Sequence, residues 1–216
     1  ATASPTINAY ADGSLDASGA ISLQTYSSHY ADAVGEGITV AVAGVGVILV
    51  DADANGTVKT YITGIVTKGS SLTITTKVIA EADATENTAP SGGFISGNGL
   101  NVDAHASPII KTYVDTGSSL TGLTGTVNLN TYSEGNADAH AKALTIGLVA
   151  AIGTSIADAE VKPNIETKIG SSAVVTTTGG GIHLTTLHNF NTAGSIIQNS
   201  NAKPKGAYVE GVASGG

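Results

Sequence analysis

A short run of oxygen-bearing side chains is the part of this sequence that most resembles a metal-binding loop. Asp51, Asp53 and Asn55 alternate with alanine and precede Gly56, which matches the first half of a calcium loop, D-x-D-x-[DN]-G. Oxygens at alternating positions wrap a hard cation, but Ile62 stands where the loop needs its bidentate glutamate. The pattern predicts either a calcium site at Asp51, Asp53 and Asn55 or a strand end that enters a glycine turn.

Three tyrosines hold the same position in a repeated pattern. Tyr10, Tyr61 and Tyr113 each end a short apolar block, and Lys168 takes the matching position in the fourth copy. Rings at equivalent positions of neighbouring strands stack and stabilise those strands. Rings on an exposed face would instead suit carbohydrate stacking. The sequence therefore leaves open a structural ladder and an adhesive surface.

Known catalytic signatures are absent from the sequence. The five histidines are scattered, and His183 and His188 lie five residues apart, so they would face opposite sides of one strand. There is no nucleophile elbow, zinc-protease motif or phosphate-binding loop. We therefore expect that the protein is not an enzyme and that it needs no cofactor, unless calcium binds at Asp51.

The composition excludes several classes of protein. The 216 residues include no Cys, Met or Trp, and only 12% are charged, with a net charge of −8. Disulfides and thiolate metal sites need cysteine, and nucleic-acid binding needs clustered Lys and Arg. The longest apolar run, 38–50, is rich in β-branched residues and shorter than the about 20 residues of a membrane-spanning helix. We expect neither nucleic-acid binding nor membrane insertion.

Internal repetition is the strongest signal in the chain. One block begins at Ser4, Asn55, Ser107 and Lys162, so that successive starts lie 51, 52 and 55 residues apart. An alternating apolar–polar block, an Ala-Asp-Ala block and a second aspartate block follow it in a near-constant order. Periods of this length indicate solenoids, propellers or tandem domains. We predict a single repeat array over 1–216, with a degenerate last unit. The units are 4–54, 55–106, 107–161 and 162–216.

The pattern within each unit is typical of strands. Segment 72–76 alternates apolar and polar residues, and Gly-Ser and Gly-Gly turns separate such blocks. The predicted fold class is all-β: a repetitive β-solenoid, similar to a parallel β-helix, of four units of about 52 residues. Tandem β-sandwich modules are the alternative. The Ala-Asp-Ala blocks would place alanine on one face and aspartate on the other, where stacked aspartates should face water or share a cation.

Two segments, 38–50 and 144–152, are apolar on both faces. A strand of this kind either lies in the core or contacts another chain. The three repeated tyrosines and seven residues of these segments are the candidate ladder or assembly residues. They are Tyr10, Tyr61, Tyr113, Val40, Val42, Val45, Val47, Leu49, Ile146 and Leu148.

The third and fourth units resemble the repeats of large bacterial filamentous adhesins, the leukotoxin-like and filamentous-haemagglutinin-like surface proteins. The resemblance rests on Ile156-Ala-Asp-Ala followed by Val161-Lys-Pro-Asn-Ile-Glu-Thr-Lys-Ile-Gly-Ser-Ser. In such adhesins a glycine-rich apolar strand, an Ala-Asp-Ala block, a Pro-x-[Ile/Val] strand and a Gly-Ser turn recur many times. The resemblance extends over all four units. It implies a secreted, surface-displayed, β-rich stalk or fibre, and it transfers no catalytic residues.

These observations predict a structural segment or subunit of an extracellular surface fibre or adhesin stalk. Its main partners would be copies of itself, joined through strand edges or apolar strands. The alternative is a glycan- or calcium-dependent adhesive module that binds surface glycans or a host or cell surface. Both alternatives place the protein outside the cell, at the cell surface.

Overall fold

The computed structural model describes residues 1–37, 39–40, 43–86, 89–141, 143–190 and 207–208, and it describes side chains there except at 39–40, 43–45, 89–98, 143–153 and 207–208. Every regular element in these ranges is a strand. The same ranges contain no helix of the length and apolarity that a membrane span requires. The strands are β1 (Thr2–Ala3), β2 (Thr6–Asp16), β3 (Ala20–Gly35), β4 (Thr39–Val40), β5 (Ala43–Ala54), β6 (Thr57–Lys68), β7 (Ser71–Glu86), β8 (Ala89–Ala106), β9 (Ile109–Val114), β10 (Ser119–Leu123), β11 (Val127–His140), β12 (Ala143–Val161), β13 (Asn164–Ile169), β14 (Val174–Thr177), β15 (Ile182–His188) and β16 (Ala207–Tyr208).

The strands form three sheets, named A, B and C. Sheet A has the order β1-β5-β8-β12, with β4 also paired to β8. Sheet B has the order β13-β9-β6-β10-β14, with β2 also paired to β6. Sheet C has the order β15-β11-β7-β3, with β16 also paired to β11. All described pairings are parallel except the two-residue pairing of β16 with β11.

Neighbouring strands in each sheet come from successive repeats. We call the strands of one repeat a tier: β2–β5 form tier 1, β6–β8 tier 2, β9–β12 tier 3 and β13–β15 tier 4. The pairing keeps equivalent residues in register, so that Tyr61 lies between Tyr10 and Tyr113. Each repeated position therefore becomes a column of side chains that crosses the tiers.

The predicted repetitive β-solenoid of four units is wrong, and so is the alternative of tandem β-sandwich modules. The sheets are parallel, whereas sandwich modules would be built from antiparallel strands, and one sheet is curled into a half-barrel. The repeats are also unequal. Strand β6 is continuous, but tier 3 divides the same stretch into β9 and β10, and tier 4 into β13 and β14. A turn at Gly117, with φ of 75°, separates β9 from β10, so the repeats cannot form identical coils.

The interior has two chemically different main parts. Between sheets A and C, the core consists almost entirely of alanine, including Ala52, Ala82 and Ala104, which are 0–1% exposed. Where the strands of sheet B end and those of sheet C begin, larger side chains such as Leu72 and Leu129 fill the space. Burying a Leu or Ile side chain contributes roughly 1.5–3 kcal/mol. The aliphatic part therefore supplies most of the hydrophobic stabilisation, and the alanines let the sheets approach closely.

Candidate functional site

The three repeated tyrosines form one stack on the outer face of sheet B. The ring centroids of Tyr10 and Tyr61 are 5.3 Å apart and those of Tyr61 and Tyr113 are 4.7 Å apart, with interplanar angles of 12° and 3°. The Nζ of Lys168 lies over the Tyr113 ring, 5.7 Å from its centroid, in the geometry of a cation–π contact. The ring faces of Tyr61 and Tyr113 are thus covered by their neighbours. Tyr10 is 57% exposed, because no described residue stacks on the side of its ring that faces away from Tyr61.

A network of ion pairs lies at the tier 4 end of this stack. Glu166 accepts from the ammonium groups of Lys111 and Lys168, each at 2.9 Å. These two hydrogen bonds hold the pKa of the Glu166 carboxyl below its ordinary value. Burial, with smaller effects from Tyr61, Asp115 and Glu166, raises the pKa of Tyr113. The ladder is therefore neutral at its centre and carries an ion-pair network at one end.

A chain of threonine hydroxyls runs through the interior between sheets B and C. Thr60 donates to Thr25 at 2.7 Å, Thr76 donates to Thr60 at 2.8 Å, and Thr112 donates to Thr76 at 2.7 Å. A second group continues it in tiers 3 and 4, where the Oγ1 atoms of Thr131 and Thr167 are 2.6 Å apart and Thr186 donates to Thr167 at 2.7 Å. Because a buried hydroxyl needs a partner, the chain fixes how the two sheets align.

The threonine chain was not predicted from the sequence, although the sequence contains a signal for it. Thr25, Thr76, Thr131 and Thr186 end the alternating block of each of the four units. In three of the units a threonine also precedes the tyrosine position. A polar residue repeated at an inward position indicates a buried hydrogen-bonding column.

The two ends of the tier stack expose sheet edges and partly uncovered core residues. At the tier 1 end, β2 pairs only with β6 and β3 only with β7 among the described residues. At the other end, β13, β14 and β15 each have one described partner, in tier 3. Ile182 is 39% and Leu184 46% exposed, although both occupy columns that are fully buried in tier 3. Among the described residues, both ends therefore leave backbone groups and apolar side chains without a neighbouring strand.

Two columns of aspartate lie on the outer faces of the sheets. Asp51, Asp103 and Asp158 are in register on sheet A, while the alanines between them point inward. A second column on sheet C consists of Asp32, Asp83 and Asp138. Carboxylates on adjacent strands repel one another. Each column therefore concentrates negative charge on one outer face.

The residues of the predicted calcium loop do not wrap around a common centre. Asp51 and Asp53 lie within strand β5, whereas the Oδ1 of Asn55 accepts a hydrogen bond from the Ser107 amide at 3.2 Å. Gly56 does not adopt a positive φ. Glycine is needed here because the ring of the buried His29 lies close to the backbone, and a Cβ at position 56 would be 2.6 Å from that ring. The side chain that does approach the two aspartates is His105, from the neighbouring strand.

No family model matches this chain, and neither a curated protein nor a solved structure matches it. The site must therefore be interpreted from its geometry alone.

The apolar candidates for assembly can be placed only in part. Val47 is 69% exposed and Leu49 74% exposed on the outer face of sheet A, together with Ile156 at 60%. The residues between Val47 and Leu49 and after Leu49 point into the core, so this strand is apolar on both faces with one face open. Val42 and the side chains of four other candidates lie outside the described residues, namely Val40, Val45, Ile146 and Leu148.

Proposed function

We propose that this protein is a structural segment or subunit of an extracellular surface fibre or adhesin stalk, and that copies join end to end through their sheet edges. The observation that supports the proposal best is the pair of ends in the described part of the chain, where in-register columns stop and the edge strands have a partner on one side only. The proposal assigns the protein a mechanical role without catalysis.

The edge of β2 offers unpaired backbone groups. The Thr57 amide donates to the Pro5 carbonyl at 2.9 Å, and backbone groups of a parallel strand alternate between its two sides. The odd-numbered residues of β2 therefore bond to β6, whereas the amides of Thr6, Asn8 and Tyr10 point away from it. Such an edge is a template for pairing with another strand.

Tier 4 of a second copy has the residues that would continue these columns. If the register is maintained, Ile165 would lie beside Ile7 and Glu166 beside Asn8, because these residues occupy the same columns. Lys168, which already lies over Tyr113, would then be placed between that ring and Tyr10 of the next copy. The contact joins two different surfaces and does not close on itself, so that repetition produces a filament.

The composition and the resemblance to adhesin repeats support an extracellular location. The chain has no cysteine or methionine that could be oxidised outside the cell. Its surface carries few charges, and its sheets are built from parallel backbone ladders that link successive repeats. These properties fit a fibre exposed to the environment.

Replacing Asn8 by proline tests the proposal, with Asn8→Ala as the matched control. Proline at this edge position removes one amide that points away from β6, so the fold keeps its ladder while pairing with another copy loses a hydrogen bond. A lost hydrogen bond of about 1 kcal/mol and the added steric block should raise the concentration at which filaments form about tenfold or more. Sedimentation velocity over a concentration series, with electron microscopy, measures this concentration.

The wild-type protein and Asn8→Ala should form filaments whose fibre diffraction shows a strand spacing of about 4.8 Å. Circular dichroism should show the same fold in Asn8→Pro. A wild-type protein that stays monomeric at all concentrations would contradict the proposal. Filaments that form equally well from Asn8→Pro would show that the β2 edge is not the contact.

A further inference from the structure

Two carboxylates and one imidazole converge on the outer face of sheet A. Asp51 and Asp53 are two residues apart in β5, so both side chains point to the same side of the sheet. His105 of β8 is the in-register neighbour of Asp53. One ligand atom from each residue lies within 4.8 Å of the other two, and the part of the chain that the structure describes contains no second such group.

The spacing between His105 and Asp53 is that of two ligands of one metal ion. The Nδ1 of His105 is 3.4 Å from the Oδ1 of Asp53, which is longer than the about 2.7–2.9 Å of a charge-assisted hydrogen bond. Zinc binds imidazole nitrogen and carboxylate oxygen at about 2.0–2.2 Å. Two such bonds at a tetrahedral angle separate the ligand atoms by about 3.4 Å, and so the pair is already at ligand spacing. A small rotation of the Asp51 side chain would bring in the third ligand.

The neighbouring acidic side chains have hydrogen-bond partners, whereas the carboxylate of Asp51 has none among the described side chains. Asn101 donates to Asp103 at 2.6 Å, and Lys162 donates to Glu160 at 3.1 Å. Among the described residues, no side chain donates to the carboxylate of Asp51. His105 approaches the two aspartates of β5 from the next strand, and the ammonium of Ala1 donates to the carbonyl oxygen of Asp51. A divalent cation bound among the three side chains would offset the remaining repulsion between the carboxylates.

The backbone around this group is held in place from both sides. The hydrogen bond from the Ser107 amide to Asn55 ties the chain just after β8 to the chain just after β5. On the other side, β1 pairs with β5 at Asp53. The three side chains therefore project from strands with a fixed register, which reduces the entropy lost when they bind an ion.

We propose that Asp51, Asp53 and His105 bind a divalent transition-metal ion of the zinc type. Calcium takes six to eight oxygen ligands, whereas one imidazole with carboxylates suits zinc and similar ions. Water molecules complete the coordination. The ion bridges β5 and β8 and so links tiers 1 and 2. This site is independent of end-to-end assembly.

Titration with Zn²⁺ alone by isothermal calorimetry tests the site. We expect one ion per chain, and at least a tenfold loss of affinity in His105→Gln and in Asp53→Asn. Two controls should retain wild-type affinity. His183→Gln removes a histidine whose in-register neighbour is Asn128, and Asp83→Asn removes a carboxylate from the aspartate column that contains no histidine.

The same series separates the zinc site from a calcium loop. The proposal is overturned if the wild-type protein binds no Zn²⁺ at millimolar concentration or if the controls lose as much affinity as His105→Gln. It is also overturned if Ca²⁺ binds more tightly than Zn²⁺ and its binding survives His105→Gln. Thermal unfolding with Zn²⁺ is a second readout, in which the wild-type midpoint should rise and that of His105→Gln should not.

Discussion

The inner tiers and the end tiers share apolar residues at many equivalent positions, but they bury these residues to different extents. Leu129 in tier 3 is fully buried, whereas Leu184, its in-register neighbour in tier 4, is 46% exposed. Both belong to the same column, so the neighbouring strands account for the difference in burial. Strand β15 of tier 4 covers Leu129, whereas no described strand covers Leu184 on its outer side. Burial in this molecule thus depends on having a neighbouring tier on each side, and the ends are where a further tier would add most stability.

The strongest test of this comparison replaces the two leucines separately. Leu129→Ala should reduce the free energy of unfolding by about 3–5 kcal/mol, because it leaves a cavity between two covered strands. Leu184→Ala should reduce it by only about 1–2 kcal/mol, because part of this side chain is already in water. Urea titrations at a concentration below filament formation measure both values.

Assembly makes the same pair of variants more informative. If a second copy covers tier 4, Leu184→Ala should also raise the concentration needed for filaments, since it removes apolar surface from the contact. Leu129→Ala should leave that concentration unchanged once its lower stability is taken into account. Equal losses of stability for the two variants in the unassembled protein would refute the difference between inner and end tiers.

A second matched pair compares two glycines of one column in sheet B. Gly64 in tier 2 has φ of 149°, and a Cβ there would lie 2.2 Å from the carbonyl oxygen of Gly13. Gly13 in tier 1 has φ of 88°, with nothing within 4 Å of the added carbon. Both variants strain the backbone, but only Gly64→Ala also collides with a neighbouring strand.

We expect Gly64→Ala to reduce the free energy of unfolding by about 3 kcal/mol and Gly13→Ala by about 1 kcal/mol. Thermal and urea unfolding of the two variants provide the comparison. If both variants lose the same free energy of unfolding, tier 1 must shift to relieve the collision at Gly64. Tier 1 would then be held less rigidly than its contacts indicate.

The repeat spacing predicts much of this arrangement, because blocks of equal spacing become neighbours in parallel strands. The common position of Tyr10, Tyr61 and Tyr113 is visible in the sequence, as is the alternation of alanine and aspartate. The unequal tiers are not predictable in this way. The turn at Gly117 lies in a Gly-Ser-Ser block that predicts a turn, but the same block at Gly69 follows the end of β6. The block therefore does not reveal that tier 3 divides this stretch into β9 and β10.

The proposed metal site shows a second reason why the sequence does not predict every grouping of side chains. A calcium-loop motif groups Asp53 with Asn55, because the ligands of such loops are close together in the sequence. The ligand candidate His105 instead comes from the next repeat, at the position equivalent to Asp53. The threonine chain was missed for a related reason, because its hydrogen bonds connect different sheets and spacing within one block does not show which inward residues meet.

The smallest expected effect concerns two glutamates with opposite pKa shifts. Glu86, at the end of β7 in tier 2, is fully buried, and neither carboxylate oxygen has a described hydrogen-bond partner. Burial raises the pKa of Glu86 above its ordinary 4.5, and nearby Glu36 adds to this. In tier 4, hydrogen bonds from two lysines lower the pKa of Glu166. The inner glutamate therefore favours the folded state when protonated, and the end glutamate when ionised.

The pH dependence should have opposite signs in the two variants. The contribution of Glu86 is fully present below the unfolded pKa and is lost as pH rises through its raised folded pKa. Glu86→Gln should therefore stabilise the protein at neutral pH and have little effect at acidic pH. The contribution of Glu166 is present above the unfolded pKa and is lost as pH falls through its lowered folded pKa. Glu166→Gln should destabilise by about 1 kcal/mol or less at neutral pH, because water screens this pair. Urea unfolding over a pH series measures both, and a loss of stability in Glu86→Gln at neutral pH would show that the buried carboxylate is ionised and paired.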